Sequence, residues 1–394
     1  MVLIGKPVQL NVFIDKQKNK VMFAEADEEF VEILFSLLIL PLGTIAKLLA
    51  KHADPMDIKV GSFTSLYQSV AQLDVKHFTN EYVKNALVNP VNSTAYIFHK
   101  LKLNLDTCVN GIHSGVTFLK EKSSFIITDD LKITPFLPDK SIEYLSTLGV
   151  ECINSLRQTT IHLDYEEFTD LLKWSLLTDN ALTNFVNGGS KPYPFSSSIT
   201  NTTFGNLAMP KTVKLLVQKS TKKLICAQVD NFFVEMLFSY LTIPLGAVIR
   251  LTRDNLSPVV GMHNVYNSIL ILGDGNYLKS DDIKYMLLRP KLASIYNHAT
   301  DFLPIYEQGK TRSSFLKEQA TFIVSDDLQV ALSLPVSTIS NFSIGVPVGD
   351  IEVREASIGE REALSILKAS LTSTTVLTDC LKKVIMEPKA EPST

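Results

Sequence analysis

The chain has 394 residues, 45% hydrophobic and 20% charged, the balance of an ordinary globular protein long enough for two or three domains. Lys plus Arg (38) nearly match Asp plus Glu (41), and the net charge of −3 leaves no overall basic footprint for a dedicated nucleic-acid binder. The cysteines, Cys108, Cys152, Cys226 and Cys380, include no Cys-x-x-Cys pair and are too sparse for a disulfide scaffold, which points to a reducing compartment.

Residues 1–20 lack the charged-then-apolar order of a secretion signal, so a cytoplasmic or nuclear address is expected. Leu10, Val12 and Ile14 alternate with Asn11 and Phe13, a polar stretch follows, and alternation resumes at Val21 and Phe23, a pattern that predicts a β-hairpin. Asp27 stands just before an apolar periodic run and predicts a helix N-cap, with Glu28 and Glu29 favoured at the positive helix end. Phe30, Leu34, Leu37 and Leu38 share one helical face, Pro41 must stop or kink that helix, and Gly43 is expected to help the chain turn. The stretch 33–42 is the most apolar, but Ser36 and Pro41 interrupt it and it falls short of the about 20 residues a membrane span needs, so no membrane contact is expected. Helices are predicted over 44–49, 63–73 and 78–87, the last closed by Asn89-Pro90. Residues 125–127 and 131–133 read as strands around Asp129-Asp130, and 168–185 as one helix carrying Phe168, Leu171, Leu172, Ser175, Leu176 and Leu182 on a broad face.

The second half repeats the first. Phe30-Val31-Glu32-Ile33-Leu34-Phe35-Ser36 returns as Phe233-Val234-Glu235-Met236-Leu237-Phe238-Ser239, and Pro41-Leu42-Gly43 as Pro244-Leu245-Gly246. Between 9–43 and 212–246, 14 of 35 positions are identical without a gap, which marks a duplication. Tyr67-Gln68-Ser69 answers Tyr266-Asn267-Ser268, Phe118-Leu119-Lys120 answers Phe315-Leu316-Lys317, and Phe125 to Leu131 answers Phe322 to Leu328. The small drift in spacing is what indels in surface loops produce. The expected organisation is a first module over 1–186, a Gly/Ser/Asn/Pro-rich linker over 187–211, a second module over 212–386 and a disordered tail over 387–394. Strands and helices do not alternate regularly, so the expected class is α+β: a tandem duplication of a module of about 190–200 residues, each copy holding a β-hairpin, a small sheet and several helices.

Three segments together, Val12-Phe13-Ile14-Asp15-Lys16, the run from Phe35-Ser36 through Pro41-Leu42-Gly43-Thr44, and Phe125-Ile126-Ile127-Thr128-Asp129-Asp130-Leu131, resemble the plant family called domain of unknown function 674. The resemblance covers nearly the whole chain and implies a plant origin and no established activity. Many relatives carry a cysteine-rich insertion between the segments matching Leu101-Lys102-Leu103 and Phe118-Leu119-Lys120; only Cys108 stands there here, which undercuts a metal knuckle.

Eight polar positions shared by the copies are the site candidates. Glu32 with Ser36, and Glu235 with Ser239, lie on one helical stripe and admit an acid/base reading; the structural alternative has the carboxylate satisfying a neighbouring backbone group. Asp129-Asp130 and Asp326-Asp327 admit Mg²⁺ or Ca²⁺ ligation, but adjacent strand side chains point to opposite faces, and Asp is a preferred turn residue. His99, Cys108 and His113 lack the fourth ligand and tight spacing of a structural zinc site. Lys16, Lys18 and Lys20 cluster with Lys219, Lys222 and Lys223 at corresponding hairpin tips, where they could touch phosphate but are read as solubilising. No nucleotide loop, nucleophile elbow or metalloprotease motif is present, and no cofactor, metal or catalytic residue is assigned. The favoured expectation is a non-enzymatic binding or scaffold protein with a protein partner, whose copies pack about a pseudo-twofold or offer two similar surfaces. The alternative is an enzyme using Glu32 or Asp129/Asp130; nucleic acid ranks third.

Overall fold

Among the described residues both halves share one order of hairpin, four helices, three further strands and two helices, the first half adding a helix before its last strand and the second a short helix at its end; the alternation at the amino end of each is what starts the sheet. The computed structural model describes residues 8–51, 59–91, 117–121, 123–150, 153–189, 209–251, 259–293, 295–296, 303, 314–317, 320–332 and 345–386. The expected tail at 387–394, and His99, Cys108 and His113, lie outside the described residues.

The first half runs β1 (Val8–Asp15), β2 (Lys20–Asp27), α1 (Glu28–Leu38), α2 (Leu42–Lys51), α3 (Phe63–Gln72), α4 (Glu81–Val88), β3 (Ser124–Thr128), β4 (Ile133–Pro135), α5 (Pro138–Thr147), β5 (Leu156–Leu163), α6 (Tyr165–Leu177) and α7 (Ala181–Asn187). The second runs β6 (Lys211–Gln218), β7 (Leu224–Val229), α8 (Asn231–Tyr240), α9 (Leu245–Leu251), α10 (Val260–Asp274), α11 (Asp281–Leu288), β8 (Phe322–Val324), β9 (Val330–Leu332), β10 (Ile351–Ile358), α12 (Glu360–Ser370), α13 (Val376–Cys380) and α14 (Lys382–Met386). The sheets have the equivalent orders β4-β3-β2-β1-β5 and β9-β8-β7-β6-β10, every pair antiparallel. The fold is α+β. Among the described residues no helix is long and apolar enough to cross a membrane.

The period-2 pattern of β1 sends Val8, Leu10, Val12 and Ile14 into the main core and Phe13 into a smaller cluster on the other face with Phe23, Ile126 and Leu156. Asp27 and Asp230 cap the following helices by accepting the amides of Phe30 (3.2 Å) and Phe232 (3.1 Å). Several details differ from the sequence reading. Gly43 does not turn the chain but lies inside α2, where a Cβ would come 2.7 Å from Pro90 Cγ and 3.0 Å from the Leu241 carbonyl oxygen; close packing excludes a side chain there. The helix expected over 78–87 starts only at Glu81, because Asn80 accepts the Val83 amide (2.9 Å) as its N-cap. The stretch 168–185 is two helices, α6 and α7, interrupted at Thr178. Leu131 and Leu328 are turn residues in left-handed backbone (φ 63° and 62°), each with its side chain fully buried. The edge strands β5 and β10 are additional to the strands expected from the sequence.

The halves interlock. Helix α10 of the second half packs on β4, α1 and α6 of the first, and α3 of the first half packs on β9 and α8 of the second. At the centre of the exchange Pro41 faces Pro244, flanked by reciprocal bonds from the Leu42 amide to the Ile243 carbonyl and from the Leu245 amide to the Leu40 carbonyl, both 2.9 Å. Further out, Thr79 donates to the Phe315 carbonyl and Lys279 to the Phe118 carbonyl, again both 2.9 Å. These four bonds form two mirrored pairs, the pattern of a twofold, isologous interface.

Candidate functional site

The shared polar side chains lie where the halves meet or where a terminal helix is fastened. Glu32, on α1, accepts the backbone amide of Leu119 at 3.0 Å, and Glu235, on α8, accepts that of Leu316 at 3.0 Å and the Ser314 hydroxyl. Those two leucines are the residues that bridge to the other half, Leu119 to Leu278 and Leu316 to Phe78. Each glutamate therefore fixes, within its own half, a strap that clasps the opposite half. Ser36 and Ser239 are buried and turn inward along their own helices. The Ser36 hydroxyl donates to the Glu32 and Ile33 carbonyls (2.7 and 3.0 Å), and that of Ser239 to the Met236 carbonyl (2.6 Å). This back-bonding is a local habit of serine in helices. The hydroxyl bonds to main-chain oxygen, not to the neighbouring carboxylate.

The two aspartates of each pair address different helices. Asp129 accepts the amide (2.7 Å) and hydroxyl (2.8 Å) of Thr183 at the start of α7; Asp326 accepts the same groups of Thr378 on α13 (2.8 and 2.7 Å). These are side-chain caps supplied from a distant turn, satisfying an amide of the first helical turn. Asp130 accepts from the Thr128 hydroxyl and from the Asn264 amide group (2.9 Å) on the exchanged α10. Asp327 accepts from Ser325 (2.5 Å), from Ser65 on the exchanged α3 (3.2 Å) and from Lys59 (2.5 Å). The turn between β3 and β4 thus ties its own terminal helix with one carboxylate and the visiting helix with the next.

Burial pushes the Asp129 and Asp326 carboxyls above their usual values, against the Thr183 and Thr378 donors that pull them down. Burial also raises Asp327, but the Lys59 ammonium and the Ser325 and Ser65 hydroxyls outweigh it and leave that carboxyl below its usual value. Among the described residues no group of three or more His, Cys, Asp or Glu is placed to hold a metal ion. Chemically, the four carboxylates of the aspartate pairs act as hydrogen-bond acceptors.

Several residues of these joints went unnoticed in the sequence. Ser69 and Ser268 marked the repeat but had no role; their hydroxyl oxygens accept the Val330 and Ile133 amides, both at 2.9 Å, across the junction. Thr183 and Thr378 recur at nearly the same distance after the aspartates, 54 and 52 residues on, a signal legible once the copies are aligned. The hairpin-tip lysines are partly engaged: Lys16 donates to the Asn154 carbonyl (3.0 Å), Lys219 to that of Gly349 (2.8 Å), and Lys222 lies 3.2 Å from Glu352.

The family described as "Protein of unknown function (DUF674)" matches residues 5–111, 107–311 and 297–392. The chain belongs to the DUF674 family. Its matched segments run through both halves and across the junction between them, so the interlocked pair carries the family's sequence throughout. Neither a curated protein nor a solved structure matches this DUF674 chain.

Proposed function

We propose that this DUF674 protein is a non-enzymatic binding or scaffold protein that presents two similar modules as one body to a protein partner. The supporting observation is the employment of its shared carboxylates. Glu32, Glu235, Asp130 and Asp327 bond to straps or visiting helices at the junction, while Asp129 and Asp326 cap α7 and α13. Residues kept by both copies for holding the halves together explain the duplication without any reaction. Two equivalent surfaces in fixed relation gain avidity toward a partner with two matching sites. The sparse cysteines support a cytoplasmic or nuclear setting, and the family resemblance supports a plant origin.

The competing reading is an enzyme that uses Glu32 or the Asp129/Asp130 pair, favoured by the raised Asp129 carboxyl. A thermal-shift screen against divalent metals, nucleotides and common metabolites separates the two. A ligand at 100 times its dissociation constant adds about 2.7 kcal/mol to the native state. The scaffold reading expects no saturable shift. A saturable shift that disappears in Asp130→Asn or Glu32→Gln, with the variant still folded, overturns it.

A further inference from the structure

We propose that the halves are each other's partner independently of the peptide that joins them: the chain is a fused twofold dimer, and the interface on each half fits a second module of the same kind. This goes beyond the scaffold reading and does not depend on it.

Each half lacks an element that its own core needs. The inner face at β4 is packed by α10, and Ile133, fully buried there, donates its amide to Ser268 of that helix. The inner face at β9 is packed by α3, and the Val330 amide finds Ser69. Separating the halves would strip α3 from β9 and α8, strip α10 from β4, α1 and α6, and strand those two amides. It would also part the backbone bonds about the Pro41–Pro244 centre, from the amides of Leu42, Gly43 and Leu245, and those of the straps, from the amides of Thr79, Lys120, Lys279 and Lys317. An interface that removes apolar helix faces from water and pairs main-chain groups in mirrored sets has the character of an obligate dimer, in which folding and association are one event. All of these contacts join described residues that lie on either side of 190–208.

The experiment is a full-length chain with a protease site inserted between Gly189 and Met209, compared before and after cleavage. The uncut protein serves as the folding control. After cleavage the two fragments should elute together at the 43.8 kDa of the intact chain. Their unfolding midpoint should rise with protein concentration, as for an associating pair, while that of the uncut chain stays constant. Adding Ser69→Ala and Ser268→Ala to the cut protein should lower the midpoint further and move the dissociation on dilution to higher protein concentration. Elution as two separate fragments, precipitation on cleavage of a protein that was soluble uncut, or a midpoint independent of concentration would overturn the proposal.

Discussion

Ser69 in α3 and Ser268 in α10 occupy equivalent places in the two halves, and each accepts a buried strand amide from the opposite half at 2.9 Å, from Val330 and Ile133 respectively. Each hydroxyl also donates to a carbonyl one turn back in its own helix, Ser65 at 2.9 Å and Asn264 at 2.7 Å, so both of its hydrogen-bonding roles are filled.

Ser69→Ala and Ser268→Ala each leave a buried strand amide without a partner, at a cost of about 1–3 kcal/mol. Urea denaturation of the two single variants should give similar losses, because the two environments mirror each other. A loss at one site and none at the other would show that the two junctions are not energetically equivalent.

Gly43→Ala sets a methyl against the Pro90 ring and the Leu241 carbonyl, neither the far end of a flexible side chain. Overpacking of this kind costs about 1–3 kcal/mol, more than the roughly 1 kcal/mol a helix gains when alanine replaces glycine. The melting temperature should therefore fall. Gly349→Ala, where nothing lies within 4 Å of the added carbon, is the matched control and should leave it nearly unchanged.

Asp129→Ala removes both acceptors of Thr183 and should fray α7; Asp326→Ala should do the same to α13. Loss of a capping side chain costs about 0.5–2 kcal/mol. Hydrogen exchange should quicken first in Ala181–Asn187 for one variant and Val376–Cys380 for the other. Equal protection of those helices in variant and parent would rule out the capping role.

The carboxyls of the two joints predict opposite responses to acid. Asp327 has its pKa lowered in the folded protein, so its stabilising contribution is complete above the usual value of 3.8 and is lost as pH falls through the folded value. Asp326 has its pKa raised, chiefly by burial, so its contribution is present below 3.8 and is lost as pH rises through the folded value. Stability measured by urea titration on both sides of 3.8 should lose part of its acid-side decline in Asp327→Asn. The same measurement on Asp326→Asn should lose part of the decline just above that value. Unchanged slopes in both variants would show that neither carboxyl titrates with folding.

Legible in the chain before folding are the duplication, the mixed α and β class, the β1–β2 hairpin, the Asp27 cap and the helix stop before Pro41. All of these follow from short-range rules: alternation, helical spacing, capping chemistry and a missing amide hydrogen. The packing of α3 and α10 on the opposite half emerges only in the folded protein, because an apolar helix face states that it must be buried and not against which sheet. The roles of Glu32, Asp130 and their counterparts were hidden for the same reason. Their acceptors are filled by donors 87 residues away at Leu119 and 134 residues away at Asn264, and no local pattern in the chain encodes a partner at that distance.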